Sequence, residues 1–320
     1  QSRGAGGADG RLLHDAVRLV LRAVVAARDE GVRATPPSGA PPLNRDKVDS
    51  EAAMLLRAAL PLADRVPGLR ASLIRLGAEL AAPAPAEVAV RLCLHPGVAL
   101  DLALVPLHLA ALGLGDPRLE PLLEDLFGQD RLRGPERPPH RELEQQWLHG
   151  LWSGGTEPAE FARAVSASCL AWEFDHLAGT TDDAYAFTHA ILYASDHGRR
   201  SVALPRPVPA ITADAEAILA VALDAGNHDV AAEALWTWPM LGVDEPPLAA
   251  RARDLLAVVS TGRGFLPGPG FDPAIHEQLP LPERDAYVLR TSYHTTLVHG
   301  LLLASVLDGG MHRPGAAPSA

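Results

Sequence analysis

The chain of 320 residues holds 39 acidic and 28 basic side chains, for a formal charge of −11, and is 48% apolar but only 5% aromatic. So large an apolar fraction excludes a disordered chain, and the acidic balance excludes a dedicated nucleic-acid binder, whose basic face must displace counterions. The length suffices for one large core or two smaller ones.

A 3.6-residue apolar period predicts a first helix over about 11–29, marked by Leu12, Val17, Leu19, Leu21 and Val24. Residues Ala34–Leu43 form a proline-rich breaker, after which Asp49 or Ser50 is the expected cap of a second helix. Further helices are predicted at about 67–82, 86–94, 97–113 and 117–128, separated by Pro and Gly. The polar, proline-rich stretch Gln129–Pro139 is the best boundary, dividing an N-terminal helical scaffold (1–135) from a C-terminal helical region (136–320) that carries the candidate site; one continuous domain is the alternative. Then follow helices at about 141–152, 157–176, 181–197, 212–225, 228–238, 246–260 and 283–307. Gly226-Asn227 predicts a hairpin of 213–225 with 228–238, and Gly179-Thr180 one of 157–176 with 181–197. Strand alternation is missing, so the expected fold is all-α, helical hairpins in an α/α toroid or solenoid-like array. The apolar runs 100–115 and 297–307 are no membrane spans: the first carries Asp101, Pro106 and His108, and the second is too short. The only cysteines, Cys93 and Cys169, give no disulfide framework. Together with the lack of a recognisable leader they point to a cytoplasmic protein. Lys47 is the only lysine, a coding bias of a high-G+C bacterial genome.

Residues that carry chemistry crowd into the second half. No aromatic precedes Phe127, and ten of the 13 histidines lie from His140 onward. The tyrosines mark two helices. In Thr181–Gly198, Thr181 is the expected cap, and Asp182, Tyr185, His189, Leu192/Tyr193 and Asp196 share one stripe. In Asp285–Leu303, Tyr287, Arg290, His294 and Leu301 share another, beside Tyr293. An ordinary core stripe would be leucine and valine. If the two helices face one another across a polar cavity, His189, Asp196 and His294 are expected to bind a divalent metal, with His176 as a further ligand. Imidazole and carboxylate suit iron, zinc, manganese or copper. Tyr185, Tyr193 and Tyr293 would transfer protons or hold substrate. The plain alternative is a structural network of buried Tyr and His, with Asp182 and Asp183 as first-turn acids. Asp196 stands apart, because the helix dipole disfavours an acid in the last turn.

Other signals are weaker. His228-Asp229 matches the His-Asp pair of the all-helical HD phosphohydrolases, for which His197 and Asp254 are the available partners. The Gly/Pro-rich Thr261–Phe271 reads as a loop and a candidate lid, and Trp236 and Trp238 read as core anchors.

Tyr185-x-x-Thr188-His189, Tyr193-x-x-Asp196-x-Gly198 and Tyr293-His294-Thr295-Thr296 resemble a family of uncharacterised all-helical actinobacterial proteins associated with natural-product gene clusters. The resemblance covers about 180 C-terminal residues. It implies a biosynthetic role without naming a reaction. The family favours an aromatic where this chain has His197, so the resemblance does not carry over a ligand role there. The expected function is a metal-dependent enzyme of specialised metabolism or peptide modification. Its substrate would be a small molecule or peptide, and neither nucleic acid nor membrane is an expected partner. The competing expectation is a helical-repeat interaction protein without catalysis.

Overall fold

The computed structural model describes residues 2–30, 40–83, 85–94, 99–128, 137–154 and 158–309. Much of both proline-rich stretches, 34–43 and 129–139, lies outside the described residues. Among the described residues there are α-helices and short 3-10 turns but no strand, so the protein is all-α. None of these helices is long and apolar enough to cross a membrane. The chain forms two compact units: Gln1–Pro135 with Ala257–Leu303, and Glu136–Leu256 with Ala304–Ala320.

The first unit contains α1 (Ser2–Glu30), α2 (Arg45–Ala59), α3 (Leu69–Ala81), α4 (Pro85–Leu94), α5 (Ala99–Ala111) and α6 (Glu120–Gly128). Leu13, Val17, Val20 and Val24 of α1 have no exposed surface. Their spacing puts them on the face that packs against α2 and α3. Asn44 caps α2, its Oδ1 accepting from the backbone N–H groups of Asp46 (3.0 Å) and Lys47 (3.2 Å). The helix therefore starts a turn earlier than the expected cap at Asp49 or Ser50, because Asn44 is as strong a cap and comes first after the prolines, two residues past Pro42. Asp49 and Ser50 end up buried in mid-helix. Of the later elements, α13 (Pro273–Gln278) and most of α14 (Leu281–Leu307) belong to this unit. Gly300 lets α14 lie close to its neighbours: a Cβ there would meet Ala16 Cβ at 3.0 Å and Leu55 Cδ1 at 3.2 Å. The Gly/Pro-rich segment read as a candidate lid is strapped down on α14. Leu266 N–H donates to Thr296 Oγ1 (3.0 Å) and Gly268 N–H to Ser292 Oγ (3.3 Å). A Cβ on Gly268 would sit 2.2 Å from the Thr291 carbonyl oxygen, so only glycine fits.

The second unit is built on α7 (Pro139–Ser153), α8 (Pro158–Ala167), α9 (Thr181–Ser195), α10 (Val208–Asp224), α11 (His228–Leu241) and the start of α12 (Pro247–Arg263). The hairpin of α10 and α11 forms as predicted, with Asn227 capping α11 through Val230 N–H (3.2 Å). The other predicted hairpin does not: α8 stops at Ala167, and Ser168 opens a 3-10 turn over Cys169–Ala171. Helix α9 packs instead on α7 and α11. Thr180, rather than Thr181, caps α9 in a reciprocal box. Asp183 N–H donates to Thr180 Oγ1 (3.2 Å) and Thr180 N–H to Asp183 Oδ2 (2.8 Å). Helix α11 runs through Pro239 to Leu241 and ends at Gly242 in the left-handed region. Trp236 and Trp238 are each 2% exposed, which makes them core anchors, and Trp236 Nε1 donates to Ser305 Oγ (2.7 Å).

Candidate functional site

In the second unit a polar seam runs between α7, α9 and α11. Tyr185, His189 and Tyr193 recur every fourth residue on α9 and line one face, with ring centroids 6.0 Å apart at each step. Each faces a carboxylate from another helix. Tyr185 Oη donates to Asp229 Oδ2 (2.5 Å), Tyr193 Oη donates to Glu144 Oε1 (3.0 Å), and His189 Nε2 lies 3.5 Å from Glu233 Oε1. Thr188, one residue before His189, adds its hydroxyl as donor to Glu233 Oε2. Asp229 and Glu233 stand one turn apart on α11 and are only 2% and 5% exposed. Glu144 is equally buried and pairs with Arg141 at 2.7 Å. A third of the His189 side chain reaches solvent, so a substrate can approach it.

The titration behaviour follows from burial and charge. Burial, then the charge of Asp229, pushes the Tyr185 phenol well above the ordinary tyrosine range. Tyr185 is a locked neutral donor. That disfavours it as a proton-transfer base. Burial, then the neighbouring charges of His189 and Arg141, lowers His140 at the start of α7. His140 therefore favours its neutral imidazole beside His189. Burial pushes the Cys169 thiol up to about 11, which makes it inert.

Within the second unit, the expected ligands His176, His189 and Asp196 meet different partners. Asp196 follows the last turn of α9 in the left-handed region (φ 48°), and Trp147 Nε1 donates to its Oδ1 (2.7 Å). That indole hydrogen bond accounts for an acid at a helix C-terminus. Residues 196–198 all have positive φ, and Gly198 packs against the Met240 backbone. His197 is held between Trp147 (stacked, 5.3 Å) and Trp236 (edge-on, 5.3 Å), which buries it. Asp254, the other partner considered for an HD-type site, is exposed. His176 follows the short 3-10 turn, not a long helix, and lies 3.4 Å from Asp214 of α10. Asp214 also holds Arg206 (2.5 Å) and the Phe174 N–H (3.3 Å), so it organises that loop. Among the described residues, none of His176, His189 and Asp196 belongs to a group of three His, Cys, Asp or Glu side chains close enough to share one ion. Asp182 is exposed and Asp183 completes the α9 cap.

His294 and Tyr293 belong to the first unit. His294 Nδ1 is 3.0 Å from Glu51 Oε1 of α2. Tyr293 also hydrogen-bonds to Glu51, and Lys47 Nζ lies 3.7 Å away. Burial pushes the Glu51 carboxyl up, but His294, Lys47 and Tyr293 together outweigh it and leave the group below the ordinary glutamate range. Tyr287 is structural: its Oη accepts from Asp272 N–H (2.9 Å) and donates to the Gly270 carbonyl (3.4 Å).

Sequence reasoning missed the carboxylates Glu144 and Glu233, and weighed Asp229 only as half of an HD-type pair. One signal was available: Glu233 is a lone acid within an apolar run, Val230–Trp238, and Asp229 precedes it by one helical turn.

The chain belongs to the family described as a domain of unknown function, DUF6895, whose profile matches residues 17–304 and so includes the whole seam. No curated protein and no solved structure matches it.

Proposed function

We propose that this member of the family is a metal-dependent enzyme whose working groups lie on the α9–α11 seam of the second unit. One observation carries the reading. Asp229 and Glu233 are buried on successive turns of α11, faced from α9 by the hydroxyls of Tyr185 and Thr188 and by the His189 imidazole. Two carboxylates buried one turn apart repel one another, and a shared cation would relieve that repulsion. An all-oxygen pair suits a hard cation such as manganese or magnesium better than the thiophilic metals. His189, oriented by Glu233 and partly open to solvent, is the group that would move a proton. A bound cation would supply charge stabilisation or an activated water.

The sequence resemblance supports a substrate from specialised metabolism or a modified peptide, in an actinobacterial setting. The two free cysteines support a reducing cytoplasm. A second reading, an interaction protein, is favoured by Trp172 and Leu177, which stand 74% and 100% exposed before α9.

Elemental analysis and manganese titration of untagged protein test the proposal, with Asp229→Asn, Glu233→Gln and His189→Gln alongside. Stoichiometric metal in the wild type and in His189→Gln, lost in the two carboxylate variants, is the expected result. A folded wild type that takes up no divalent metal sinks it.

A further inference from the structure

The first unit holds a cavity of about 230 Å³. That is at the small end of ligand cavities, which run to ~300–1,000 Å³. Its walls come from α2, α3, α4, α5 and the turn before α6. Most are apolar: Val88 of α4 and Leu102, Val105 and Leu109 of α5 face it with Leu80 and Leu119. The titratable groups lining it are the carboxylates of Asp46, Asp49 and Asp116 and a single guanidinium, Arg91.

These groups are unevenly matched. Arg91 pairs with Asp46, and Asp116 with Arg118 at 2.7 Å. Asp49 is 6% exposed, and Arg45 Nε approaches its Oδ2 only to 3.6 Å while bonding Glu87 at 3.0 Å. The other oxygen, Oδ1, is buried with no hydrogen-bond partner among the described residues. A buried carboxylate oxygen without a donor is an unfavourable arrangement that a ligand N–H would relieve. The backbone adds a second acceptor: Pro106, inside α5, has no N–H, so the Leu102 carbonyl lacks its usual helical donor. Both residues line the cavity.

We propose that this cavity binds a small organic ammonium ion, its nitrogen on Asp49 and its apolar body against α4 and α5. The excess of acceptors selects a donor-rich cation, and the apolar walls select a hydrocarbon body over a hydrated inorganic ion. Burial pushes the Asp49 carboxyl above the ordinary aspartate range despite Arg28 and Arg45. The seam in the second unit plays no part, so this site stands or falls separately.

Calorimetric titration of the full chain tests it, using hexylammonium and phenethylammonium against hexanoate, hexanol and ammonium chloride. Saturable binding of the two organic cations is expected, with all three controls about tenfold weaker or more, the scale of a hydrogen bond to a charged group. Asp49→Asn should weaken the cations by about tenfold, and Val88→Trp, which fills the cavity, should abolish binding. Hexanoate binding as well as hexylammonium, no saturation by either cation, or wild-type affinity in Asp49→Asn would each overturn the proposal. If Asp49→Asn does not fold, undiminished binding by folded Val88→Trp overturns it, and loss of binding supports it.

Discussion

Helices α9 and α14 carry the same residue types and use them differently. On α9, Tyr185 and Tyr193 each donate to a buried side-chain carboxylate, Asp229 and Glu144. On α14, only Tyr293 meets a carboxylate, Glu51, while Tyr287 holds backbone atoms of the strap at residues 270 and 272. Each helix also pairs a histidine with a glutamate. Glu51, beside His294, has Lys47 as a further counter-charge, whereas Glu233, beside His189, has a threonine hydroxyl. The α14 pair is thus nearly balanced in charge. The α9 seam stays rich in acid, which is why the site is sought there.

Four measurements press on this contrast, from the largest expected effect to the smallest. The α14 region should be acid-sensitive through His299. Burial holds its imidazole down at about 4, while Nδ1 meets Ser260 Oγ at 3.1 Å. The unfolded chain binds that proton below about 6.5 and the folded chain does not until about 4, so stability falls as the pH drops between them. The loss is on the order of 3 kcal/mol. Urea unfolding from pH 7 to 4 reads it, and His299→Gln should flatten the slope. An unchanged slope in that variant assigns the acid loss elsewhere.

Tyrosine deletions compare the helices directly. Tyr185→Phe takes a donor from a buried carboxylate and should cost about 2 kcal/mol, whereas Tyr287→Phe removes neutral backbone contacts and should cost about 1 kcal/mol. Equal losses in denaturant melts erase the contrast. Thr180→Ala removes the α9 capping box and should cost about 1 kcal/mol, visible as a lower denaturation midpoint. Lys47→Met should cost only about 0.4 kcal/mol, because that pair is half exposed and one turn apart on α2. A much larger loss would mean that Lys47 is essential to the Glu51 cluster.

How much of this was readable in advance depended on range. Most helix positions were, because apolar spacing acts within a few turns; the helix expected over 157–176 instead ends at Ala167. The Tyr185, His189, Tyr193 stripe was readable for the same reason. Caps missed by small margins, since Asn44 and Thr180 compete locally with Asp49, Ser50 and Thr181 as equally suitable cap residues. The role given to Asp196 missed because its partner, Trp147, lies 49 residues away.

By itself, then, the sequence determined an all-α chain with its four tyrosines gathered on two helices, each helix also carrying a histidine on the tyrosine stripe. Periodicity and capping are properties of neighbours along the chain. Only the tertiary structure decided that α9 faces Glu144, Asp229 and Glu233, that His294 faces Glu51, and that Asp196 serves Trp147. Those pairings depend on how helices pack, and nothing in the local pattern says which carboxylate a given stripe will meet.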